Sequence, residues 1–303
     1  MRKNKRFIIL LLILFPISLS AQRVTFTISK DTLSYLRLNN PQKKSGMIVL
    51  FNYGGGNGLS DIPAVSELES ILVIDIKINN WFLPQNEILK IDNCIRHAIN
   101  SNGIAKGNFI IGGFSGGGVS ATRYVELTIE NKKEELIPKG LFIGDAPIDY
   151  LEFYKYCDRE IVRNCQAKDA RVGKREAEAV KKDYNNSFGD PVIDRDKYVK
   201  NSPITITEPD FGNAKYLLNI PVRTYHEVDP MWYIKERCRN QFTEENIYVG
   251  TALINYLYTN GNNKADVIIT YSRGYRSPGV RHPHSWSIIE AKGLLEWYKG
   301  LDK

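Results

Sequence analysis

The chain has 303 residues, 43% of them hydrophobic, with four cysteines and a formal charge of +7. That length suits one large domain with a subdomain and allows a substantial core. Nucleic acid is not an expected partner: Arg2, Lys3, Lys5 and Arg6 supply four of the seven excess charges, and the remaining +3 is not gathered into a basic face.

In chain order, the basic start is followed by the apolar run Phe7 to Phe15, then Pro16 and the small residues Ser18, Ser20 and Ala21. This layout predicts a secretory signal peptide cut near Ala21, with export to the periplasm or the exterior. A retained anchor competes, but the run is shorter than the roughly 20 residues of a spanning helix. No membrane span is expected after cleavage.

Apolar and β-branched runs then alternate with helical patterns. Val24 to Ile28 and Leu33 to Leu38 read as a leading antiparallel pair; Met47 to Phe51, Ile71 to Ile78, Asn108 to Ile111, Leu141 to Ile143, Val222 to Tyr225 and Val267 to Tyr271 read as parallel strands. Helices are expected over Asn86 to Asn102, ended by Gly103, from Ser115 to about Asn131, and over Phe242 to Tyr258 and Ser285 to Leu301. The expected class is α/β: a mostly parallel sheet of about eight strands covered by helices on both faces. Residues 151–215 break the rhythm with dense charge, a helical stretch over Lys174 to Lys182 and a turn-rich stretch from Tyr184 to Pro191. They read as a cap or lid inserted between two halves of a core, 22–150 and 216–303, against the alternative of a solvated surface insertion.

Directly after the run ending at Ile111 stands Gly113-Phe114-Ser115-Gly116-Gly117. A serine on a sharp strand-to-helix turn projects its hydroxyl and needs small neighbours two residues away on either side. The N–H of Gly116 then points where an oxyanion would form, at a helix N-terminus. A serine hydroxyl also needs a base, and the base an orienting acid. Asp229, in His226-Glu227-Val228-Asp229-Pro230, lies in the turn after one predicted strand, and His284 in the loop after the last, Arg281-His282-Pro283-His284-Ser285-Trp286.

With these residues in this order, the chain resembles the α/β-hydrolase family, whose members place serine, then acid, then histidine along the sequence. The resemblance implies Ser115 as nucleophile, Asp229 as acid and His284 as base. It also implies an oxyanion loop in Asn52-Tyr53-Gly54-Gly55-Gly56-Asn57-Gly58, with Tyr53, Gly54 and Gly55 beside Gly116. Tyr53 stands where many relatives carry histidine, which leaves open whether its hydroxyl or only backbone N–H groups complete the hole. Asp145, ending another strand, and Glu227 are the competing acids, and Ser120 the competing serine.

His282 and His284 alone do not make a metal site, because no third ligand stands at metal spacing; no metal and no cofactor are implied. Gly116-Gly117-Gly118-Val119-Ser120-Ala121 formally matches a dinucleotide fingerprint, but it does not open the first strand-to-helix turn and lacks the acid at a following strand end. The pairing of Cys94, Cys157, Cys165 and Cys238 stays open, since a continuous helix would hold Cys157 and Cys165 about 12 Å apart. The expected activity is therefore a secreted serine esterase acting on a small-molecule or acylated-glycan ester. A peptidase or amidase with the same residues, or a silent binding protein, are the alternatives. Tyr150, Tyr154, Tyr156, Trp232 and Tyr233 could line the substrate or pack the core.

Overall fold

The computed structural model describes residues 21–54, 61–239 and 242–301. The expected signal segment lies outside the described residues. So does Gly55 of the expected oxyanion loop.

The hairpin β1 (Gln22–Ile28) and β2 (Asp31–Arg37) opens the described chain. It is followed by β3 (Gly46–Tyr53), β4 (Ile71–Ile78), β5 (Phe109–Phe114), β6 (Gly140–Gly144), β7 (Val222–Glu227) and β8 (Asp266–Thr270). These form one sheet in the order β1-β2-β4-β3-β5-β6-β7-β8. β1 with β2 and β2 with β4 are antiparallel, and every pairing from β4 to β8 is parallel.

The unbroken apolar run of β3 follows from its central place, since a parallel strand covered on both faces has no polar side. Met47, Val49 and Phe51 enter one core cluster and Ile48 and Leu50 the other, the alternation of a pleated strand. The first cluster packs under α2 (Gln85–Asn102), α3 (Gly116–Glu130) and α8 (Asn246–Thr259). The second packs under α1 (Ile62–Leu68) and α9 (Ala291–Gly300). Each fully buried Ile or Leu contributes about 1.5–3 kcal/mol relative to exposure. α2 closes at Gly103, whose φ of 65° is the left-handed cap a glycine supplies freely.

Two expected helices differ at their starts. The stretch expected from Phe242 begins as a short 3-10 turn, and its α-helix starts at Asn246. The stretch expected from Ser285 forms a 3-10 turn over Trp286–Ile288 and then an extended step at Ile289 and Glu290 before α9. Burial of Trp286, Ile288 and Ile289 in the second core draws this segment inward and breaks the helix.

Between β6 and β7 stand α4 (Tyr150–Val162), α5 (Lys168–Phe188) and α6 (Arg195–Asn201). α5 continues into the stretch expected to turn as far as Phe188, because Tyr184 and Phe188, one turn apart, pack with Tyr150 and Tyr198 in a buried aromatic cluster that also meets Phe82; the chain leaves the helix at Gly189 and turns from Pro191. Asp149 joins the two ends of the excursion: its carboxylate accepts from Leu151 and Glu152 N–H at the start of α4 and from Ile206 N–H. α7 (Pro230–Arg237) follows β7. A small hairpin, β9 (Tyr275–Ser277) with β10 (Val280–Arg281), follows β8. Cys165 and Cys238 form a disulfide with Cα atoms 5.9 Å apart, and Cys94 and Cys157 are free and buried. Cys165 thus pairs far along the chain, with the end of α7. No helix among the described residues is long and apolar enough to cross a membrane.

Candidate active site

Ser115 stands between β5 and α3 with φ 54° and ψ −126°, a strained conformation for a residue with a side chain. The glycines around it answer to space. A Cβ on Gly113 would lie 2.5 Å from the Gly117 carbonyl carbon, and one on Gly117 would strike the Phe51 carbonyl oxygen. One on Gly118 would come 2.8 Å from Ala146 Cβ. The glycine run is therefore accounted for by close packing of α3 on β3 and β6, with no need of a dinucleotide. Ser120 is buried, and its hydroxyl donates to the Gly116 and Trp81 carbonyls, which leaves it in packing.

His284 reaches Ser115 from the loop after β10, with Nε2 3.0 Å from Oγ. Its Nδ1 lies 2.6 Å from Asp145 Oδ2. A carboxylate only accepts, so Nδ1 carries the proton and Nε2 is left to accept from the serine hydroxyl. Phe114 flanks the ring at 4.4 Å between centroids.

The acid beside His284 is Asp145, not the expected Asp229. Asp145 follows β6, which lies next to β5 in the sheet, and the Ser115 N–H donates to the Gly144 carbonyl at 2.8 Å. Asp229 instead accepts from Arg281 at 2.7 and 3.0 Å and caps α7 through Trp232 N–H. Glu227 holds the same guanidinium at 2.6 Å and also accepts from Arg273 N–H and the Thr270 hydroxyl. Both carboxylates near the end of β7 are thus engaged in fastening the strand that leads into the histidine loop. Asp145 has φ 39°, an uncommon left-handed conformation for aspartate.

A residue that the sequence placed only near the acid turn proves central. His226, on β7 and 1% exposed, donates from Nδ1 to Asp145 Oδ1 at 3.1 Å, so each carboxylate oxygen meets one imidazole. Burial alone would raise the Asp145 pKa; hydrogen bonds from His226 and His284 outweigh it and hold the carboxyl well below the usual carboxylate range. The signal available in the sequence was His226 on a strand next to β6. Side-chain alternation alone does not say which strand end it faces.

In front of Ser115 lies a cavity of about 620 Å³. Tyr53, Gly54 and Gly116 line it together, so three of the four expected oxyanion residues meet there. The Tyr53 ring packs so closely on Gly116 that a Cβ there would be 2.7 Å from it, and it stacks on Trp81 at 5.7 Å. Burial, with the charge of Asp183, raises the Tyr53 pKa and keeps the phenol protonated. α5 lines the cavity with Gly173, Glu176, Ala177, Val180 and Asp183, which recur on one helical face. Of the aromatics expected near the substrate, Tyr156, Trp232 and Tyr233 line the cavity, while Tyr150 and Tyr154 are buried in packing. His97 stacks on Phe26 at 4.0 Å, far from the site in role.

No protein-family model matches the chain, and no curated protein matches it by sequence. Solved structures do. An acylaminoacyl peptidase from Pyrococcus horikoshii aligns with 92% of this chain at 12% identity and a TM-score of 0.58; this chain spans only 41% of that protein's length. An esterase from Pyrobaculum calidifontis aligns with 93% of this chain and 84% of its own, at 15% identity and a TM-score of 0.51. A fungal esterase from Rhizomucor miehei aligns over 93% and 83%, at 12% identity and a TM-score of 0.53. Identities this low speak to architecture alone, and they agree with the strand order and the turn after β5: the chain has the α/β-hydrolase fold.

Proposed function

We propose that the protein is a serine hydrolase that cleaves a carboxylic ester through an acyl-enzyme intermediate. The observation that carries this reading is the relay from Ser115 Oγ to His284 Nε2 at 3.0 Å and from His284 Nδ1 to Asp145 at 2.6 Å. Ser115 attacks the ester carbonyl while His284 takes its proton, and Asp145 fixes the tautomer and stabilises the imidazolium. The Gly116 N–H, with a donor from Tyr53 or Gly54, receives the oxyanion. His284 then returns the proton to the leaving alcohol, and a water molecule repeats the sequence to release the acid.

Residues 151–215 act as the cap, with α5 as the wall over the substrate. Export is part of the proposal: the first 21 residues read as a signal peptide, and the Cys165–Cys238 disulfide suits an oxidising compartment. The substrate is a small-molecule or acylated-glycan ester.

Labelling of the mature protein with a fluorophosphonate, beside Ser115→Ala, tests the nucleophile, and hydrolysis of p-nitrophenyl esters tests the reaction. Labelling and turnover that both vanish in Ser115→Ala are expected. Folded protein that neither labels nor turns over any ester would reject the proposal in favour of a binding protein. A peptidase or amidase is the second reading, favoured by the likeness to a structure named as an acylaminoacyl peptidase. A matched ester and amide separates the two.

A further inference from the structure

The cavity lining carries the carboxylates Glu176, Asp183 and Glu244 and, apart from them, two further chemical sets. Tyr53, Trp81, Phe153 and Val180 offer aromatic and aliphatic surface. Arg237, Arg276 and His282, from α7, β9 and the histidine loop, offer hydrogen-bond donors and positive charge.

The second set is only partly satisfied among the described residues. His282 is 3% exposed, yet among the described residues neither of its ring nitrogens has a hydrogen-bond partner. Arg237 is 5% exposed; among the described residues its Nε has no hydrogen-bond partner, and a terminal nitrogen reaches Glu160 at 3.5 Å. Arg276 makes no hydrogen bond or ion pair among the described residues, although Glu176 and Asp169 on α5 lie near enough to act on its charge. Buried polar groups are normally paired, so the two buried groups His282 and Arg237, with the exposed Arg276 lining the same cavity, ask for a ligand that accepts hydrogen bonds. The guanidinium groups of Arg237 and Arg276 in the lining set the sign of the ligand. Burial first, and then the charges of Arg276, His284 and Arg237, push the His282 pKa down to about 2, so the ring is neutral in a positive potential.

We propose that Arg237, Arg276 and His282 form a subsite for a carboxylate carried by the substrate. The inference rests on the serine-hydrolase reading and narrows it to esters with an anionic acyl or alcohol part. A carboxylate accepts several hydrogen bonds, donates none and matches the guanidinium fork. His282 lies 6.4 Å from His284 between ring centroids, so a group held there belongs to the same molecule as the ester at Ser115. Gly173 makes the arrangement possible, since any Cβ on that residue of α5 would collide with Arg237.

Two matched substrate pairs test this. Mono-p-nitrophenyl adipate against its methyl ester places the carboxylate on the acyl side; 4-acetoxybenzoate against methyl 4-acetoxybenzoate places it on the alcohol side. In at least one pair the carboxylate is expected to raise kcat/KM about tenfold or more, mainly through KM. In Arg276→Gln, whose side chain stands on an exposed strand, that ratio is expected to fall toward one. Equal or lower kcat/KM for both carboxylates, with Ser115 still labelled by fluorophosphonate, would overturn the subsite and leave the hydrolase reading standing. A preference unchanged in Arg276→Gln would overturn the assignment to these residues. Loss of labelling and turnover together in folded wild-type protein would overturn both readings.

Discussion

Asp145 and His226 form a buried hydrogen bond of 3.1 Å that leaves the second carboxylate oxygen for His284. The acid of the proposed relay is thus held from two sides by imidazoles, where a carboxylate at a turn more simply accepts backbone N–H groups. His226 is itself fixed by space: a Cβ on Gly250 of α8 would collide with its Nε2. It touches no substrate and acts through Asp145, as a positioning residue.

Asp145→Asn should lower kcat by about 10³-fold or more on p-nitrophenyl butyrate, because an amide cannot hold the His284 tautomer that accepts from serine. Asp229→Asn should change kcat by less than about tenfold, since it loosens the Arg281 contact without touching His284. The reverse ranking would return the acid to the turn after β7.

His226→Leu leaves Asp145 Oδ1 buried without a donor, at a cost of about 1–3 kcal/mol in stability. The kinetic signature should be a fall in kcat of roughly 10- to 100-fold with KM little changed, because the cavity wall is intact. His226→Gln, which retains a donor, should recover part of that loss. A purely structural His226 would lower the melting temperature and leave kcat alone.

Gly117→Ala and Gly293→Ala should part company in thermal melts. At Gly117 a methyl group meets the backbone of Phe51 in a buried strand, and a destabilisation of about 3 kcal/mol or more is expected. At Gly293, within α9, it meets only the end of the Glu290 side chain at 3.3 Å, and helix propensity should stabilise by about 0.5–1 kcal/mol.

Thiol chemistry should report the cysteine pairing directly. Burial raises the thiol pKa of Cys94 to about 11 and of Cys157 to about 12. Ellman's reagent should therefore find no reactive thiol in the native protein, two on unfolding without reductant and four with it. Closing a loop across a sequence separation of 73 contributes about 4 kcal/mol in the chain-entropy account, so reductant should lower the melting temperature by several degrees.

Glu245 sets a pH dependence of opposite sign to that of Asp145. Burial raises its pKa to about 7 against the pull of Arg239, with Asp145, Asp229 and Glu244 adding to the rise. A raised carboxyl holds its proton longer in the folded state than in the unfolded one. Its contribution is full below about pH 4.5 and is lost as pH rises through about 7, with a slope of at most about 1.4 kcal/mol per pH unit. Asp145, held low, contributes above the ordinary carboxylate range and loses that contribution only in acid. Urea midpoints between pH 5 and 8 should therefore slope less in Glu245→Gln than in wild type.

Strand positions were legible because both faces of a parallel sheet are mostly apolar, so β3 carries the unbroken run Met47 to Phe51 and β4 the run Ile71 to Ile74. Ser115 and His284 were legible because a strained turn demands glycines and a base needs a loop after a late strand. The acid was harder. Asp145 and Asp229 both follow strands that neighbour each other, and only side-chain partners distinguish them: Arg281, with no acidic neighbour in sequence, claims Asp229. The continuation of α5 through Asn185 and Asn186 was hidden for a related reason, because the contacts that hold Tyr184 and Phe188 come from α4 and α6 rather than from local propensity.

Arg281 stands three residues before His284 and draws its anchorage from β7, whereas the acid hangs from β6. Base and acid are thus moored to different strands, the base's loop through the Arg281 guanidinium and the acid through its own backbone. The loop that carries His284 is therefore tied to the sheet through a residue that itself contacts neither Ser115 nor Asp145.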